Sequence, residues 1–167
     1  MALERLAKVQ IVENILLVRA ANYDLCVIST SEKGFGFKRE IHIWITESDY
    51  ENANLMILMG YITMGHPEWK KADMKIFAIF PEGAADQQRQ QLLDLAQEGR
   101  LPISANNIRV VVKKDDTRRR EIISEHSKSA DLIVTGFRNE ALKQFGPGIF
   151  EGFEGLANVL FVNAQEE

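Results

Sequence analysis

Five short apolar runs, Ile41–Thr46, Met74–Phe80, Asn107–Val112, Asp131–Gly136 and Asn158–Asn163, recur along the chain with helix-patterned segments between them. In Ile41-His42-Ile43-Trp44-Ile45 and in Met74–Phe80, apolar side chains occupy both faces of the strand. That pattern belongs to a sheet covered on both sides by helices, because a strand with one face in water alternates apolar and polar residues. Strands alternating with helices predict βαβ units, and so an α/β fold built on a mostly parallel, doubly wound sheet.

The intervening segments have the period of one helical face. Ala2–Asn22 reads as mainly helix. Ser48–Met64 carries a wide apolar stripe through Leu55, Met56, Leu58, Met59 and Ile62, with Ser48 or Asp49 as its cap. Ala84–Gln97 is a third helix with Gly99 as its C-terminal cap. A fourth, capped by Asp116, turns Ile122 and Ile123 inward, with His126 a candidate third. Leu25–Thr30 is a further short strand, but the loop joining it to Ile41 is too short for a helical crossover. It is expected at a sheet edge or in a separate antiparallel pairing. The whole of 1–167 therefore reads as one α/β domain, with an N-terminal helix, edge strand and loop over 1–39 and a parallel core over 40–164.

Of the chain, 46% is apolar and 26% charged, which suits a folded core rather than a disordered segment. A formal charge of −4 argues against nucleic acid as a partner, since such affinity comes from cations neutralising phosphates. No run approaches the ~20 apolar residues of a membrane-spanning helix, and the opening residues lack the basic-then-apolar order of a secretory signal. An intracellular, soluble chain is expected. The single cysteine, Cys26, lies in Leu25-Cys26-Val27-Ile28 and is expected to be a small buried hydrophobe.

Reactive chemistry is thin. An open α/β sheet holds ligands beyond the carboxyl ends of its strands, and the loops there contain no histidine or cysteine. His42, His66 and His126 lie at no zinc-ligand spacing, no serine sits in a G-x-S-x-G elbow, and His42 reads as a satisfied core histidine. No catalytic residue, metal site or cofactor is predicted. Gly34-x-Gly36 lacks the third glycine of a dinucleotide fingerprint, because Arg39 stands in its place. Arg118-Arg119-Arg120 is flanked by Asp115, Asp116 and Glu121, so a solvated helical face is preferred over docking on acidic lipid. The stretch Phe145–Leu156 combines many glycines with three phenylalanines. Pro147 suits the first turn of a restarted helix there, with one ring expected in the core and another at an interface. Phe35, Phe37, Phe145, Ile149, Phe150 and Phe153 are the candidate interface residues, Phe150 and Phe153 foremost and Phe35 next.

Four segments together resemble the carboxyl-terminal cytosolic region of cation-chloride cotransporters and their prokaryotic relatives. Ile41-His42-Ile43-Trp44-Ile45 is similar to a family strand of the form I-D-V-W-W. Asn54–Leu58 and Trp69–Phe77 follow in the order and spacing of its next helix and strand entry. Glu121-Ile122-Ile123-Ser124-Glu125-His126-Ser127 through Val134 resembles its E-L-L-x-E-H-S stretch, the most specific of the four. The resemblance spans Ile41 to Asn163. It implies a universal-stress-protein-like fold with no catalytic role, pairing with itself and following a membrane-embedded transporter domain at the cytoplasmic face of the membrane. His42 replaces the acidic residue of the family strand and Ile45 its second tryptophan, so transported ions are not carried over, and an amino-acid permease with a similar tail stays open. The rival reading is a nucleotide-binding universal stress protein. Such proteins carry G-x-x-G and a later Gly-Ser or Gly-Thr after the fourth strand; here Gly136 is followed at the third position by Asn139, and no Gly-Ser or Gly-Thr occurs.

Overall fold

The computed structural model describes residues 2–98 and 103–165; of residues 2–8 and Ala105 it describes the backbone alone. Its elements run α1 (Ala2–Ala20), β1 (Leu25–Ser29), β2 (Glu40–Thr46), α2 (Tyr50–Gly65), β3 (Asp73–Pro81), α3 (Ala85–Gln97), β4 (Ile108–Lys113), α4 (Arg119–His126), β5 (Leu132–Gly136), α5 (Asn139–Phe145) and β6 (Asn158–Asn163). The strands form one six-stranded sheet in the order β1-β6-β5-β2-β3-β4. β2 through β6 pair parallel, while β1 lies antiparallel on β6 in the register Leu25↔Asn163 to Ser29↔Val159. The predicted α/β fold and the five parallel strands are observed, and of the two places left open for β1 it takes the sheet edge, paired antiparallel within the same sheet.

Alternation along β2 divides the core. Ile41, Ile43 and Ile45 join Ala53, Met56 and Ile57 of α2 and Leu92 of α3 on one face. Trp44 points to the other, with Phe77, Ile122, Ile123, Leu142 and Phe161. Because each face is roofed by helices, the strand can be apolar throughout. The chain runs outward through β2, β3 and β4, then returns beside β2 as β5 and continues to β6. The strand order therefore reverses between β2 and β5, and the carboxyl ends of these two strands flank the crevice where open α/β sheets hold ligands.

Several expectations are corrected. Cys26 is exposed, because β1 lies at the rim and alternates, with Cys26 and Ile28 turned outward and Leu25 and Val27 partly covered. Asp116 does not cap α4; the helix starts beyond Arg118, whose backbone N–H donates to the Glu121 carboxylate at 3.2 Å. Gly99, the expected cap of α3, lies outside the described residues. Past Phe145, Gly146 takes φ +60 and ends α5, and Pro147 then opens a 3-10 turn over Gly146–Phe150, as its fixed φ favours.

Candidate functional site

The crevice at the β2/β5 reversal has a volume of about 1030 Å³. Its floor is Thr135, Gly136 and Phe161, one wall is Lys113 with the start of α4, and Phe145, Ile149 and Phe153 close the far side. Asp49 lies at its edge with 1% exposure and takes hydrogen bonds from the Thr46 hydroxyl at 2.5 Å and the Thr46 backbone N–H at 3.2 Å. Gly136 is required by this arrangement: a Cβ there would stand 2.2 Å from Asp49 Oδ1 and 2.8 Å from Asn52 Nδ2. The turn after β5 is stapled from outside, the Phe137 carbonyl accepting from Asn163 Nδ2 at 2.8 Å and Asn52 Nδ2 at 3.3 Å.

Two of the arginines around this crevice hydrogen-bond backbone carbonyls. Arg138 Nε donates to the Ser48 carbonyl at 2.8 Å, and Arg120 Nη2 to the Gly148 carbonyl at 2.8 Å while its guanidinium covers the Phe153 ring. Arg119 Nη1 is 4.0 Å from Asp49 Oδ2. The expected solvated face holds for Arg118, which is exposed, and for the Arg119 side chain, 41% exposed, while Arg120 departs from it and pins the glycine-rich segment to α4.

A second polar cluster escaped the sequence reading. His42, 1% exposed, has Nδ1 2.9 Å from Ser127 Oγ and Nε2 3.0 Å from Glu40 Oε2, while Trp44 Nε1 donates to Ser127 Oγ at 2.9 Å. Serine, histidine and glutamate in a row have the order of a hydrolytic triad. The site opposes that chemistry, because Ser127 is 0% exposed and a substrate has no approach to its oxygen, which also accepts the indole N–H. The network assigns the tautomer: Ser127 O–H donates to Nδ1 and Nε2–H donates to Glu40, so His42 is a neutral, satisfied core histidine. Glu40 also accepts from Lys75 Nζ at 2.9 Å and Ser129 Oγ at 2.8 Å.

Burial holds the His42 imidazole below its usual value of 6.5 in spite of the opposing pull of Glu40. The Lys75 ammonium, first of several donors, brings the Glu40 carboxyl from 4.5 to about 2. Both folded values lie below the unfolded ones, so the unfolded chain takes up more protons on acidification and stability falls with pH. The decline is expected to begin through His42 as pH drops below 6.5 and to continue through Glu40 from 4.5 towards about 2. Denaturant melts between pH 7 and 5 should show a shallower slope in His42→Gln than in the unsubstituted chain; equal slopes would remove His42 as the cause.

The six candidate interface residues do not form one patch. Phe150 and Phe153, each 9% exposed, are core residues, packed edge-on against Phe161 at 4.9 and 5.6 Å between ring centres, and Phe150 also meets Phe137 at 5.3 Å. The 3-10 turn folds these rings down over β6, and Ile149 is partly buried with them. Phe145 remains 64% exposed beside the crevice. Phe35 and Phe37 lie at the opposite end of the sheet, 38% and 89% exposed. Asp131 takes backbone N–H groups from Phe37, Arg39 and Glu40 at 2.9, 2.6 and 3.0 Å and so fixes the loop that presents them.

Among the described residues there is no group of three or more His, Cys, Asp or Glu arranged to hold a metal, and no helix is long and apolar enough to cross a membrane. Comparison with family models and with curated proteins gives no match. Among solved structures, the cytoplasmic domain of a prokaryotic cation chloride cotransporter is similar in fold, with a TM-score of 0.50 and 18% identity over 84% of this chain. The chain spans about half of that domain, 52% of its length.

Proposed function

We propose that this chain is a non-catalytic cytosolic domain of a membrane transporter of the cation-chloride cotransporter kind, and that it pairs with itself. The observation that carries the reading is the likeness in fold, over 84% of the chain, to the cytoplasmic domain of such a transporter. The chemistry of the crevice agrees with it. The buried Asp49 carboxylate against Gly136 opposes a phosphate at the point where a stress-protein fold would bind one, and Arg120 and Arg138 each give an N–H to a backbone carbonyl.

Since Phe150 and Phe153 are buried, pairing must use other surfaces. The open edge of β1 is the strongest, because Leu25–Ser29 contains no proline or charge to blunt it and Ile28 is 47% exposed. Two such edges can meet antiparallel about a two-fold axis. Sedimentation equilibrium over a concentration series should give a mass rising towards that of a dimer, with no response to ATP and magnesium. Ile28→Lys should weaken the association about tenfold, equivalent to about 1.4 kcal/mol. A chain that stays monomeric, or an Ile28→Lys variant that pairs equally well, contradicts the pairing; a mass or calorimetric response to micromolar ATP favours the nucleotide-binding reading instead.

A further inference from the structure

The end of the sheet opposite the crevice carries a feature that neither the core nor the pairing edge uses. Phe37 is 89% exposed, yet its loop is held tightly. The Asp131 carboxylate accepts three of the loop's backbone N–H groups. Asn158 closes its start, accepting from Ser31 N–H at 2.8 Å and donating its own N–H to the Gly34 carbonyl at 2.9 Å. Gly36 is obligatory in this clamp: its φ is +48, and a Cβ would stand 2.1 Å from Asp131 Oδ1. Phe35 stands edge-on to the buried Trp69 at 5.9 Å, and the Asp73 N–H donates to the Arg39 carbonyl at 2.8 Å. The loop therefore lies against the turn that carries Lys70 and Lys71. A large aromatic ring is displayed in water on a scaffold that has already lost its conformational freedom.

The charge around the ring runs opposite to that of the molecule. The chain as a whole is −4, but Lys33, Arg39, Lys70 and Lys71 are all exposed on these two segments. Their nearby carboxylates are largely spent: Glu68 is paired with Lys38 at 2.8 Å, Glu40 with Lys75 at 2.9 Å, and Asp131 is 6% exposed and bound to backbone. Glu32 and Asp73 are the exposed acids that remain on the two segments.

We infer that this end of the domain docks on an anionic lipid surface, with Phe37 entering the headgroup–acyl boundary and Lys33, Arg39, Lys70 and Lys71 at the level of the phosphates. The chemistry on both sides matches. Lysine and arginine near an anionic leaflet are attracted by its surface potential, and a phenylalanine partitions into the interface below them. A fluid headgroup layer receives an isolated protruding ring without a matching pocket, whereas a protein partner would have to supply one. The net negative charge of the remainder repels the same surface, so docking is oriented, with the amino-terminal ends of the parallel strands facing the lipid. The inference stands on this patch alone and does not need the self-pairing proposed above.

The test is co-sedimentation of the purified chain with vesicles of phosphatidylcholine alone and of phosphatidylcholine with about one third phosphatidylserine. Binding is expected to the second only, and to fall steeply between ~0.05 and ~0.5 M salt as charges are screened. Lys70→Glu with Lys71→Glu should weaken it by at least about 25-fold, since each of the two cations near the surface contributes roughly fivefold. Phe37→Ser should weaken it several-fold without changing the salt slope, and Phe145→Ser, at the other end of the sheet, should bind as the unsubstituted chain does. Circular dichroism confirms that each variant is folded. Absence of binding to phosphatidylserine vesicles overturns the inference and points to an acidic protein surface as the occupant. Equal binding to both vesicle types, or lysine variants that bind undiminished, overturns it as well. None of these outcomes bears on the sedimentation of the chain by itself, so the two proposals fail separately.

Discussion

Trp44→Ala is expected to destabilise the domain by about 3–5 kcal/mol, the range for emptying a large buried aromatic site. Trp44 is 0% exposed on β2, at the middle of the sheet, and its indole stacks on Phe77 with ring centres 4.4 Å apart and planes 12° apart. Removal takes away this packing and also the N–H that saturates Ser127. The buried Ser127 hydroxyl is then left with His42 as its one partner, and His42 loses the group that orients the hydroxyl donating to its Nδ1. Trp44→Phe separates the two effects. It keeps a ring against Phe77 and forfeits the hydrogen bond, so a loss of about 1–2 kcal/mol is expected. Urea melts followed by circular dichroism measure both; a loss below ~1 kcal/mol for the alanine variant would contradict a packed centre at β2.

Asp131→Ala should rival it, at about 3–5 kcal/mol, though it removes almost no apolar area. Its carboxylate is the acceptor for three backbone N–H groups within 3.0 Å, and hydrogen bonds to a charged group contribute about 1.5–3 kcal/mol each when they are independent. They share one anchor here, so the total is less than the sum. Asp131→Asn retains one oxygen but turns an NH2 group towards an N–H donor, and about 2–3 kcal/mol is expected. Limited proteolysis gives a second readout, because the loop 31–39 should become the first site of cleavage in Asp131→Ala while β2 to β6 stay protected. Cleavage at the same rate as in the unsubstituted chain would show that Asp131 does not hold the loop.

The parallel strands were legible because burial on two sides leaves a mark on every residue of a strand. Ile41, Ile43 and Ile45 alternate with His42, Trp44 and Thr46, and none of the six is exposed by more than 3%. Loop length alone set β1 apart from the parallel strands and left open an edge or a separate antiparallel pairing. Cys26 was misread for a related reason: an apolar run signals two covered faces in the middle of a sheet, but at the rim one face of β1 has no helix over it. Phe150 and Phe153 were misread because glycine and proline around them look like a surface loop. Yet Phe161 on β6 has to be roofed, α5 stops at Phe145, and the 3-10 turn after it is what does so. The Glu40–His42–Ser127 network joins positions 85 apart in the chain, which no local pattern can reveal. Its one local signal was Glu40, His42 and Trp44 at alternate positions, three polar-tipped side chains on one face of an otherwise apolar strand. The crevice itself was placed by topology, while the hydrogen bonds of Arg138 and Arg120 depend on where Ser48 and Gly148 point their carbonyls.

The antiparallel pairing of β1 with β6 also sets how the domain bears load. Leu25 faces Asn163 across the ladder, and the backbone N–H of Gln165 reaches the Asp24 carboxylate at 2.8 Å, so the chain enters β1 and leaves β6 at the same corner. Tension drawn through these two points acts across the strands and not along them. The ladder rungs are then loaded one after another, beginning at Leu25–Asn163 and ending at Ser29–Val159, so the pair opens like a zip at low force instead of shearing all at once. β1 and α1 would peel away first, leaving the five parallel strands and their roofing helices as the mechanically resistant part.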